Sequence, residues 1–96
     1  MILDVTPPVP FAVPLVTRFR RVTSRSGVLV RGAAGWGEFS PFPDYGPEVT
    51  RWWWLAAQEA AEEGYLVPVR ATAEINTIVP VVDPQRAHEM VTASGC

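Results

Sequence analysis

The chain contains no lysine. All eight of its basic residues are arginines, against ten acidic ones, for a net charge of −2. This absence excludes a P-loop, whose lysine must reach the phosphates. The glycines Gly32, Gly35 and Gly37 spell no dinucleotide fingerprint either. With one cysteine, Cys96, no disulfide can close within the chain. With one histidine, His88, and no second thiol, no zinc set of the usual kind can form. His88 reads as a solvated surface group, and Cys96, at the chain end with no histidine at a meaningful spacing, reads as non-catalytic. A sequence pI near 5.2 gives no basic patch for nucleic acid or an anionic membrane. Long apolar runs are lacking too: "MILDVTPPVPFAVPLV" is broken by Pro7, Pro8, Pro10 and Pro14 and has no basic leader. It reads as neither a signal peptide nor a membrane span, so a cytoplasmic location is expected.

What is present reads as one small globular α+β domain at most: 96 residues, 48% apolar and 19% charged. Residues 1–8 read as a loose lead-in. Residues 9–16, "VPFAVPLV", predict a strand with Phe11, Val13 and Leu15 on one face. Pro14 cannot donate to a ladder, which marks an edge strand or a bulge. Residues 17–26, "TRFRRVTSRS", predict an exposed loop or a frayed hairpin arm. "GVLVRG" (27–32) and "GWGEF" (35–39) predict a β-hairpin across a short Gly-Ala turn. Gly46-Pro47 opens a helix that Gly64 stops, with Val49, Trp52, Trp53, Ala56 and Ala60 as its apolar stripe. Trp54 falls off that stripe and needs a partner surface or is partly exposed. "EINTIVPVV" (74–82) predicts a mostly buried strand, and Asp83-Pro84 starts a last helix. That helix presents Ala87, Met90, Val91 and Ser94 on one face and ends at Gly95. A strand and helix with no return strand make half of a βαβ unit.

The candidate chemistry is sparse. Glu59, Glu62 and Glu63 read as a solvated helix face, and the tryptophan run as core packing rather than a stacking site. Arg18, Arg20, Arg21 and Arg25 form a group that either holds an anionic substrate or is exposed loop charge. Glu38 is a lone carboxylate between glycines and aromatics. No self-sufficient catalytic set emerges.

The run "VPFAVPLVTRFRRVTSRSGVLVRGAAGWGEFSPFPDYG" resembles the start of actinobacterial-type o-succinylbenzoate synthases, members of the enolase superfamily. The similarity continues through "RWWWLAAQEAAEEGYLVPVR" and "INTIVPVVDPQRAHEMVTASGC" and so covers nearly the whole chain. The "GWGEFSPF" block carries most of the specificity; the shorter Gly-x-Gly-Glu pattern, here Gly35, Gly37 and Glu38, recurs across much of the superfamily.

The resemblance implies a capping domain over residues 1–70, a three-stranded antiparallel sheet with helices. Residues 71–96 would then be the first strand and helix of a (β/α) barrel cut off after its first repeat, a barrel being about 250 residues. The implied chemistry is Mg²⁺-assisted removal of an α-proton by a lysine base. In this family it dehydrates a succinyl-hydroxycyclohexadiene carboxylate for menaquinone synthesis, and some members also racemise N-acylamino acids. The family's Lys-x-Lys motif and metal-ligating acids fall on later barrel strands, so no catalytic or metal residue carries over, and the chain alone is expected to be inactive. Its partners would be the small-molecule carboxylate and the absent barrel. A binding module derived from the cap, or an inactive remnant, are the alternative outcomes.

What carries over by position is a lid of two loops, 17–26 and 40–46, folding over the barrel mouth. Phe19, Arg20 and Phe42 are the implied substrate-facing side chains, with Asn76 on the first barrel strand as a further candidate. Glu38 takes a supporting role. The sequence departs from the family at Arg21, where glycine is usual, and near Ser26, where an acidic residue is. The bulk and charge of Arg21 are expected to change how the first loop closes.

Overall fold

The computed structural model describes residues 6–96; of the expected lead-in, residues 1–5 lie outside the described residues. The chain divides into two compact units, one ending at Leu66 and the other running from Val67 to Cys96. The resemblance had put that division at 70/71.

The first unit is an antiparallel sheet of order β1-β2-β3 with one helix on it. Strand β1 is Val9–Phe19, β2 is Val22–Gly32, β3 is Gly35–Phe39, and helix α1 is Pro47–Glu62. The α+β reading holds. Strand β1 is an edge strand, and its register with β2 shifts between Pro14 and Phe19. That is where a residue without an N–H would interrupt a ladder. Val13, expected on the covered face with Phe11 and Leu15, is instead 54% exposed.

Of the two readings of residues 17–26, the hairpin arm holds and the loop does not. Strand β1 runs on to Phe19, Arg20 and Arg21 form a two-residue turn, and β2 begins at Val22. Both turn residues have positive φ, 48° and 64°. Two-residue hairpins ask for this conformation because it matches the strand twist, and they normally meet it with Asn-Gly. Arg-Arg gives no such signal. Position 21, with its left-handed φ, is also where the resemblance leads one to expect glycine. At the second hairpin Ala33 and Ala34 make the turn, and the positive φ falls on Gly35.

Helix α1 starts and stops as its ends predict, with Gly46 as N-cap, Pro47 in the first turn, and Gly64 at φ 81° just beyond Glu63. Its facing differs from the expected stripe. Ala57 and Ala61 are buried, Trp52 is 66% exposed and Val49 is 47% exposed. Trp54, expected off the stripe, packs edge-on against Phe39 at 5.3 Å between ring centroids.

The reason lies in the sheet. Val30 pairs with Gly37 and Gly32 with Gly35. A Cβ at Gly37 would collide with the backbone of Ala57, and one at Gly32 would lie 2.7 Å from the Ala61 carbonyl oxygen. The helix thus seats its two alanines, one turn apart, where the sheet has no side chains. The Ala34 amide then donates to the Ala61 carbonyl at 2.8 Å, fixing the β2–β3 turn to the end of the helix.

In the second unit, helix α2 is Pro84–Ser94. Asp83 caps it by accepting from the Arg86 amide at 2.8 Å, and Gly95 ends it at φ 76°. Ala87 and Met90 are half-buried, Val91 is exposed, and no residue of α2 is fully buried. The strand expected at 74–82 does not form; residues 67–83 hold no regular element. A strand needs a neighbour to take its N–H and C=O groups, and this unit supplies none.

Candidate functional site

The two segments implied as lid loops meet at the tip of the β1–β2 hairpin. Phe19, the last residue of β1, lies against Phe42 with ring centroids 6.2 Å apart. Arg20, in the turn, places its guanidinium over Phe42 at 4.2 Å and over Tyr45 at 5.0 Å. The same guanidinium donates from Nη1 to the Tyr45 hydroxyl at 2.7 Å and from Nη2 to Asp44 Oδ2 at 3.4 Å. Three of the four residues singled out from the sequence are thereby brought together. The fourth, Asn76, is exposed on the irregular segment of the second unit and not on a strand.

A second arginine approaches Phe42 from β2. Arg25 Cζ lies 4.1 Å from the Phe42 ring centroid, and Arg25 Nη2 donates to the Ser40 carbonyl at 2.6 Å. Cation–π contacts of both guanidiniums with one ring orient that ring strongly. Ser40 is 4% exposed, and its hydroxyl donates to Glu38 Oε2. Glu38 therefore satisfies a buried hydroxyl where the chain leaves β3, which is the supporting role expected of it. Beyond Phe42 the aromatic contacts run on through Tyr45 (5.7 Å) to Trp53 of α1 (5.5 Å). The stretch "GWGEFSPFPDYG" thus supplies two glycines of the sheet, Gly37 with its close approach to Ala57, then a buried anchor and then an aromatic bracket.

The electrostatics follow from these contacts. The Arg20 guanidinium is held above its ordinary pKa, first by the Tyr45 hydrogen bond and further by the Asp44 carboxylate, against partial desolvation. It stays charged throughout the neutral range. Arg18 and Arg21 make no hydrogen bond or ion pair among the described residues. Arg21 lines a shallow cleft with Arg20, Val22, Pro43 and Asp44. Of the four arginines that formed the sequence cluster, two are bound into the junction and two are left to solvent.

Sequence reasoning missed Tyr45, Asp44 and Ser40 as members of this site, and had Arg25 only as one of the arginine group. One signal was there: an aromatic and an acid, "DYG", placed opposite an arginine-rich stretch.

Among the described residues no three His, Cys, Asp or Glu side chains converge to hold a metal ion. Nor is any helix among them long and apolar enough to cross a membrane.

Comparison with known proteins agrees with the fold. The family described as enolase N-terminal domain-like matches residues 10–61. An o-succinylbenzoate synthase of Thermobifida fusca is 58% identical over 86 residues, covering 90% of this chain and 27% of the relative. Those of Mycolicibacterium smegmatis and Mycobacterium ulcerans are 39% and 40% identical, each over 83% of the chain and about a quarter of their own length. The chain spans about a quarter of the length of the curated relatives it matches. By the sheet, the helix seated on its glycines and these identities, it belongs to the o-succinylbenzoate synthase family of the enolase superfamily, whose N-terminal capping domain it carries.

Proposed function

We propose that this chain supplies the cap and lid of an o-succinylbenzoate synthase. The whole enzyme would be a cytoplasmic, Mg²⁺-dependent lyase converting 2-succinyl-6-hydroxy-2,4-cyclohexadiene-1-carboxylate to o-succinylbenzoate for menaquinone synthesis. Phe19 and Phe42 would form an apolar wall over the substrate, Arg20 would stand at its edge, and Asn76 would be the contribution of the first barrel strand. Residues 67–96 would then join a barrel built by polypeptide corresponding to the remaining length of the relatives. The small-molecule carboxylate and that barrel are the proposed partners.

The observation that carries the reading is the junction of residues 19–20 with 42–45, in a chain 58% identical to a synthase over nine-tenths of its length. A lid of this kind excludes water and orients the substrate; it moves no proton itself. The residues present do not fit a magnesium site, since the described carboxylates do not converge. No step is therefore derived through the metal in this chain. Without lysine there is also no candidate in this chain for the lysine base that the resemblance implies.

The test is complementation. The chain is mixed with a polypeptide covering the rest of the Thermobifida fusca relative, Mg²⁺ is supplied, and o-succinylbenzoate formation is followed spectroscopically. Turnover is expected from the mixture and not from the chain alone. Turnover by the chain alone, or by the barrel polypeptide equally well without it, would overturn the reading.

A further inference from the structure

We propose that Arg20 is a positioning residue that locks the β1–β2 hairpin tip and the 40–46 segment into one body, so that the two lid segments move together. Calling them a lid rests on the function proposed above; the locking itself does not.

The 40–46 segment is held at two places. Its near half is fixed from β2, where Arg25 takes the Ser40 carbonyl and stacks on Phe42. Among the described residues, the side-chain hydrogen bonds and ion pair that tie its far half, Asp44 and Tyr45, to the hairpin all come from Arg20. One guanidinium there serves the Tyr45 hydroxyl, the Asp44 carboxylate and two aromatic faces. A planar group with five donors can do this; a lysine ammonium is a point charge and cannot stack while it forks.

The backbone points the same way. Arg20 and Arg21 both hold positive φ, a conformation that costs L-residues free energy and persists only where surroundings enforce it. Among the described residues Arg21 makes no hydrogen bond or ion pair, whereas Arg20 donates to Tyr45 and Asp44, so the polar contacts that tie the turn down are those of Arg20. Tyr45 is in turn braced by Trp53, so the hairpin tip is referred through Arg20 and Tyr45 to helix α1. With Nη1 and Nη2 bound to these partners, Arg20 acts on a ligand through the loop it holds.

The test is amide hydrogen exchange by NMR on the whole chain, read at Phe19 and Val22, which pair across the turn, and at Tyr45, whose amide donates to the Phe42 carbonyl at 3.1 Å. Arg20→Met, which keeps the aliphatic stem, is expected to speed exchange at both places by about three- to tenfold, the size of one lost hydrogen bond of ordinary strength at an exposed site. Tyr45→Phe removes one hydroxyl and is expected to speed exchange at Phe19 and Val22 in the same direction. Arg20→Lys is expected to behave as Arg20→Met does and not as the native chain.

Acceleration confined to the hairpin, with Tyr45 unchanged, would show two independent segments and overturn the proposal. Full protection restored by Arg20→Lys would reduce the effect to charge alone and overturn it too. Because exchange is read on the chain by itself, a failure of turnover in the complemented enzyme bears on the proposed function and not on the lock.

Discussion

Residues 9–39 and residues 67–82 are both rich in valine and other β-branched side chains, yet only the first becomes a sheet. In the first stretch each strand finds its neighbour across a two-residue turn, so every ladder is local. In the second, "VPVRATAEINTIVPVV" is followed by a helix and no second strand among the described residues, and most of its large apolar side chains stay in solvent. Ile75 is 84% exposed, Ile78 68% and Val81 fully so. Strand propensity describes how well a residue fits a pleated, half-covered surface. Where no such surface is supplied, the same residues give an irregular segment. A stretch of this kind, apolar and unpaired, is also the part of the chain most prone to pair with other copies.

Substitutions can separate the two units, and the largest effect is expected at the seat of α1. Gly37→Ala places a Cβ inside the Ala57 backbone and is expected to cost about 3 kcal/mol or more. Trp36, Trp52, Trp53 and Trp54 all lie in the first unit. A urea melt followed by tryptophan fluorescence therefore reads that unit alone, and it should shift strongly for Gly37→Ala. An unshifted melt would break the account of the helix seat.

Within the helix, Trp54→Ala should cost about 2 kcal/mol, because it removes a part-covered ring packed on Phe39. Trp52→Ala, at 66% exposure, should cost less than about 0.5 kcal/mol. The reverse order, measured by urea melts under circular dichroism, would restore the helical face read from the sequence.

That face was illegible for a definite reason. Helix α1 carries apolar residues on most of its circumference, so periodicity alone leaves its facing open. What decides is the missing Cβ of Gly37 and Gly32, on strands distant in sequence. The helix ends were legible because capping is local: Gly46-Pro47 and Gly64 bound α1, and Asp83-Pro84 and Gly95 bound α2. The hairpin tip was not, since Arg20-Arg21 is a pair that such turns rarely use. The site divides the same way. Phe19, Arg20 and Phe42 were reachable through the family resemblance, whereas Tyr45 and Asp44 enter only because the turn aims Arg20 at them.

Two smaller changes sharpen the contrast. Asp83→Ala removes the one side-chain cap of α2 and should cost that helix about 1 kcal/mol. It should appear as lost helical circular dichroism with tryptophan fluorescence unmoved. Arg21→Gly relaxes the positive φ of 64° at the hairpin tip and should stabilise the first unit by about 0.5 kcal/mol, a small upward shift of its urea midpoint. A downward shift would mean that the Arg21 side chain contributes a contact to the folded unit.

The most direct test of the whole account is hydrogen exchange across the chain, alone and with the polypeptide covering the rest of a relative. Alone, amides in β1–β3 and α1 should be protected while residues 67–83 exchange as an unstructured chain does. With the partner present, protection should appear at 74–82 as that stretch finds strand neighbours. Protection of 74–82 in the chain by itself, or none after the partner is added, would contradict it.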